Sequence, residues 1–75
     1  MVLRTGVFEE NGKLYYYVNG DKVKTPGMFE FDGDLYYIDG SGVVVTDTRY
    51  INKAYTNGLV PAGTYTFGPD GKMVP

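Results

Sequence analysis

The chain contains no cysteine and no histidine. Disulfides, thiolate chemistry, zinc sites built from Cys and His, and catalysis by a histidine base are therefore excluded. It has no run of like charge, and its net charge is −2. Binding to nucleic acid needs a basic patch, which this balance does not supply, and nothing resembles a polybasic membrane anchor. No apolar stretch approaches the roughly 18 residues of a membrane-spanning helix. No signal peptide is visible, although an excised domain would have lost one. Strong helix formers are scarce. In their place stand eight Tyr, four Phe and eleven Gly in 75 residues, with 43% hydrophobic and 21% charged residues. That composition reads as one small folded domain, or a slice of a larger array, and not as a disordered segment.

The aromatic residues are arranged as a repeat. "GVFEENGKLYYYV" begins at Gly6, and "GMFEFDGDLYYI" begins at Gly27, 21 residues later. At that step Phe8 falls on Phe29, Glu9 on Glu30 and Gly12 on Gly33. Leu14-Tyr15-Tyr16 falls on Leu35-Tyr36-Tyr37, and Val23 and Thr25 fall on Val44 and Thr46. Periods of this length mark stacked repeat architectures. The units run over residues 5–25, 26–46 and 47–75. The third is degraded: Tyr50 falls 21 after Phe29, but Tyr65 falls 29 after Tyr36. About eight residues are therefore inserted, within 53–63. Asp70-Gly71 then stands where Ser41-Gly42 stood.

Each unit reads as a β-hairpin. Asn11-Gly12 and Asp32-Gly33 are dipeptides favoured by two-residue type I′ turns, whose central residues both need positive φ. Such turns set Glu10 opposite Lys13, Phe8 opposite Tyr15, Val7 opposite Tyr16 and Phe29 opposite Tyr36. Each good cross-strand pair contributes roughly 0.2–1 kcal/mol. Second turns at Asn19-Gly20 and Ser41-Gly42 lead into short closing segments. Strand alternation sorts the side chains onto two faces. One face carries Phe8, Tyr15 and Tyr17, then Phe29, Phe31, Tyr36 and Ile38, and is expected to be the core. The other carries Val7, Glu9, Leu14 and Tyr16, then Met28, Glu30, Leu35 and Tyr37. It is expected to be half exposed or packed on the next hairpin. A lone hairpin is marginal in water, so the expected fold is all-β, with tandem hairpins stacked as a short solenoid and almost no helix. Leu59, Val60 and Pro61 of the insertion are expected to cap the last hairpin; a partner-binding loop is the other reading.

The polar residues give little chemistry. Two carboxylates can hydrolyse a glycoside, but Glu9, Glu10, Glu30, Asp32 and Asp34 sit beside turns with no evident cleft. Asp32-Gly-Asp34 offers too few oxygens for Ca²⁺ and reads as a turn. The glycines around Ser41 lead into no helix, which excludes a phosphate loop. Neither metal nor cofactor is implied, and the chain is not expected to be an enzyme.

"TGVFEENGKLYYYVNGDKVKT" resembles the cell-wall-binding repeats of Gram-positive bacteria, which include choline-binding and glucan-binding repeats and those of large clostridial toxins. The match runs through Thr5-Gly6, Asn11-Gly12-Lys13, Tyr15-Tyr16 and Thr25. It recurs at Gly27, Asp32-Gly33, Tyr36-Tyr37 and Thr46, covering residues 5–46 well and 47–75 loosely. The resemblance implies a hairpin solenoid in a secreted or surface-attached protein, usually part of a longer chain. It also implies cell-wall choline, glucan or other glycans held between successive hairpins. Carried over, the ligand positions are Val7, Leu14 and Tyr16, then Met28, Leu35 and Tyr37. The family has Trp at the first two positions of each set, and this chain does not. In the third unit the matching positions are Arg49, Thr64 and Thr66. Trp is the best cation–π donor, so its loss argues against choline. Tyr16 and Tyr37 either stack on a sugar ring or pack on the neighbouring hairpin. The resulting expectation is a non-catalytic wall- or glycan-binding module, with a structural spacer or protein-interaction repeat as the alternative.

Overall fold

A computed structural model describes residues 3–74. Its strands are β1 (Gly6–Glu10), β2 (Lys13–Val18), β3 (Asp21–Lys22), β4 (Gly27–Phe31), β5 (Asp34–Ile38), β6 (Thr48–Ile51) and β7 (Gly63–Thr66). They form three small antiparallel sheets, β1-β2-β3, β4-β5 and β6-β7. A single 3₁₀ turn, Lys53–Tyr55, lies in the insertion. Among the described residues no helix is long and apolar enough to cross a membrane.

Turn chemistry fixes the first two hairpins. Asn11 and Gly12 have φ of 55° and 80°, and Asp32 and Gly33 have 54° and 85°, as a type I′ turn requires. The register follows: Val7 pairs with Tyr16, Phe8 with Tyr15, Met28 with Tyr37 and Phe29 with Tyr36. Asn19-Gly20 repeats the device and folds β3 back onto β2. One expected side-chain pair does not form. Glu10 lies opposite Lys13 in the backbone, but its carboxylate pairs with Arg4 and Lys22. Those two cations are held over the aromatic rings of the same face, within reach of Glu10.

The third unit repeats in its backbone hydrogen bonds. The Val44 N–H donates to Leu14 O at 2.8 Å, and the Met73 N–H donates to Leu35 O at 2.9 Å. Asp39 N–H to Val43 O and Gly42 N–H to Asp39 O recur as Gly68 N–H to Lys72 O and Gly71 N–H to Gly68 O. Its first strand, however, is out of step by one residue. Arg49, not Tyr50, pairs with Tyr65, and Tyr50 pairs with Thr64. A one-residue slip sends every side chain to the other face. Ile51 is therefore fully buried, while Tyr50 is 64% exposed. No two-residue turn pins this hairpin, because the insertion joins its strands, so burial of Ile51 decides the register.

The core lies between the hairpins, in two layers. The first holds Tyr36, Ile38 and Val44, with Val7, Leu14, Tyr16, Phe29 and Phe31 packed on it. The second holds Met28, Val45, Ile51 and Phe67, with Leu35, Tyr37, Val60 and Tyr65. Adjacent strand residues point to opposite faces, so Tyr36 enters one layer and Tyr37 the other. Burial pushes both phenols above their ordinary pKa. Of the two readings of the second face, packing on the next hairpin is the one the structure shows, while the expected core face is buried at Tyr17, Tyr36 and Ile38. The middle hairpin is buried on both sides; the first packs inward through the half-buried Val7, Leu14 and Tyr16, and Tyr17 is buried on its other face. Tyr15, expected in the core, belongs to neither layer; it lies beneath Lys22, whose ammonium is 3.9 Å from its ring centre.

The insertion caps only in part. Val60 packs on the second layer, but Leu59 remains 41% exposed and Pro61 is exposed, its carbonyl accepting from the Tyr65 hydroxyl at 2.6 Å. The loop also reaches back to the second hairpin. Thr56 is buried and donates to Lys53 O, and the Asn57 side-chain amide donates to Met28 O.

Candidate functional site

The segment Thr25-Pro26-Gly27 carries the chain from the first hairpin into the second. Proline fixes its own φ and holds the preceding residue extended, so the passage is stiff. Gly27 has φ of 143°, and a Cβ there would come within 3.1 Å of the Asn57 amide nitrogen. The insertion seats where it does because position 27 has no side chain.

A cleft of about 190 Å³ opens at this junction. Tyr16 and Val23 line it from the first unit, Thr25, Pro26 and Gly27 from the connection, and Met28, Phe29 and Ile38 from the second. Asn57 comes from the insertion. No charged side chain lines it. Its aromatic wall is made of Tyr16 stacked on Phe29, with ring centres 3.9 Å apart and planes at 17°. The lining residues with a polar side-chain group are Tyr16, Thr25 and Asn57. Such a site suits an uncharged ligand, since a charged one would lose water and gain no partner.

Of the six residues placed in the site from sequence, only Tyr16 and Met28 reach this cleft. Val7 and Leu14 pack in the first core layer, and Leu35 and Tyr37 in the second. The six divide between two junctions. In the third unit Thr64 and Thr66 lie on exposed positions, and Arg49 bonds Asp47 at 2.8 Å. Sequence reasoning missed Val23, Pro26, Gly27 and Asn57. Nothing local in the sequence said that the insertion returns to Met28.

A polar cluster lies at the opposite face of the first hairpin. Glu10 accepts from the Tyr17 hydroxyl at 2.7 Å and pairs with Arg4 at 3.1 Å and Lys22 at 3.4 Å. The Tyr17 hydrogen bond is the largest influence and, with the smaller pulls of Lys22 and Arg4, outweighs desolvation and holds the Glu10 carboxyl below its ordinary 4.5. A depressed acid stabilises the fold above its unfolded pKa, and that stability is lost as pH falls through the folded pKa. Denaturation midpoints of the native chain are therefore expected to fall from pH 5 downwards more than those of Glu10→Gln. Parallel pH profiles for the two would show that the cluster contributes nothing. Among the described residues no three of Asp, Glu, His or Cys gather as metal ligands.

No protein-family model, curated protein or solved structure matches the chain.

Proposed function

We propose that the chain is a non-catalytic wall- or glycan-binding repeat module of a secreted bacterial surface protein. In this reading its hairpins form a short solenoid, and the cleft beside Tyr16 is the contact site. The observation that supports it best is the position of the cleft, at the junction of two successive repeats. There the repeats this sequence resembles are implied to hold their ligands. An apolar cavity of about 150 Å³ can hold a benzene ring, so one of about 190 Å³ admits a single six-membered ring. A neutral sugar fits the lining. Choline does not: Tyr16 and Phe29 are stacked on each other, and no Trp is present to complete a cage.

A pull-down on purified Gram-positive cell walls tests this. The native chain is expected to bind, with or without added choline. Thr25 is exposed at the cleft rim, so Thr25→Phe blocks the mouth without disturbing the core and is expected to weaken binding at least tenfold. Choline alone is expected to give no saturable shift in NMR spectra. A dissociation constant below about 1 mM, roughly −4 kcal/mol, would overturn the cage argument.

A structural spacer or protein-interaction repeat is the second reading. It is favoured by the packing of Val7, Leu14, Leu35 and Tyr37 between hairpins, which keeps them half-buried and away from the cleft. Failure to bind any wall preparation, with the fold intact, would select it.

A further inference from the structure

We infer that Arg4, Glu10 and Lys22 close the aromatic outer face of the first hairpin against a second copy of the chain. The inference rests on the repeat and is independent of the binding reading. At the 21-residue step Phe8, Tyr15 and Tyr17 correspond to Phe29, Tyr36 and Ile38. In the second hairpin this face is an interface within the chain: Tyr16 stacks on Phe29 and meets Phe31 edge-on at 6.1 Å.

The same step places Arg4 and Glu10 where the chain next has Thr25 and Phe31, and strand pairing sets Lys22, opposite Tyr17, where Val44 stands opposite Ile38. Among the described residues no strand covers the first hairpin's outer face. The Arg4 guanidinium lies 4.5 Å from the Phe8 ring centre and 5.0 Å from that of Tyr17. Lys22 lies over Tyr15, and Glu10 ties both cations together. The three side chains remain 48%, 35% and 32% exposed, in the order Arg4, Glu10 and Lys22. A second apolar face could seat there only by stripping water from all three charges, at a cost their mutual attraction does not reliably repay.

Without the charges the face is an aromatic patch that corresponds to the one the second hairpin buries against Tyr16, and exposed patches of that kind drive association. The occupant it would take is a second copy.

Sedimentation velocity across a wide concentration range tests the inference, with chemical-shift dispersion as the check on folding. The native chain is expected to stay monomeric. Arg4→Thr with Glu10→Phe and Lys22→Val, which writes the second hairpin's residues into the first, is expected to raise the apparent mass about twofold as concentration rises. If that variant fails to fold, Glu10→Phe with Lys22→Val keeps Arg4 and carries the same expectation. A folded variant of either kind that stays monomeric throughout overturns the inference. So does a native chain that dimerises and loses the dimer on Phe8→Ser.

Discussion

Tyr36→Ala is expected to unfold the chain. The Tyr36 ring is 4% exposed and stacks on Phe29 with centres 5.2 Å apart, in the layer that joins the first hairpin to the second. Truncating a buried aromatic costs about 3–5 kcal/mol, and a domain of this size without disulfides holds little more in reserve. Tyr16→Ala is expected to follow it, toward the lower end of that range. Its ring is half-buried but stacked face to face on Phe29. This reverses what alternation alone predicts, since the two residues point to opposite faces of their own hairpins. They meet because one hairpin's second face is the next hairpin's floor. Tyr15→Ala is expected to cost only about 1 kcal/mol, the scale of an exposed cation–π contact. Urea midpoints and amide chemical-shift dispersion would rank the three. Equal losses at Tyr15 and Tyr36 would mean that the outer face is core after all.

What was legible in the sequence was whatever a short local signal fixes. Asn11-Gly12 and Asp32-Gly33 set two registers, because a type I′ turn leaves the flanking strands one pairing. The third hairpin has no such signal. Its strands are joined through residues 52–62, and the choice between Tyr50 and Ile51 as the buried residue was made by packing against Met28, Val45 and Phe67. The candidate site was legible only where it coincided with the repeat. Tyr16 and Met28 reach the cleft because they are repeat positions; Asn57 reaches it because the insertion folds back across a glycine. That contact joins residues far apart in sequence, which periodicity does not encode. The roles of Arg4 and Lys22 were hidden for a related reason. Each is unremarkable alone, and becomes informative only when set against Thr25 and Val44, one repeat later.

Gly71→Ala is expected to destabilise the chain far more than Gly33→Ala, although the two glycines share a φ of 85°. Placing alanine in a left-handed conformation costs about 1–2 kcal/mol at either position. Around Gly33 there is open space, with no atom within 4 Å of an added Cβ. At Gly71 the same atom would lie 2.9 Å from Val44 Cγ1, 3.1 Å from Leu14 Cδ1 and 3.3 Å from Tyr36 Cδ2. These are side chains of the first core layer, and they cannot all retreat. Overpacking of this kind adds about 1–3 kcal/mol, giving a total of about 2–5 kcal/mol against 1–2 for Gly33. Since the backbone cost is common to both, the difference in urea midpoint measures contact between the third unit's turn and side chains of the first two. Leu14 comes from the first hairpin, Tyr36 and Val44 from the second unit, and Gly71 from the third, so all three units meet at this point. A full difference would mean that the three repeats unfold as one body and that the cleft beside Tyr16 is held by the whole stack. Equal losses would reduce Gly71 to an ordinary turn glycine and leave the third unit thermodynamically separate from the first.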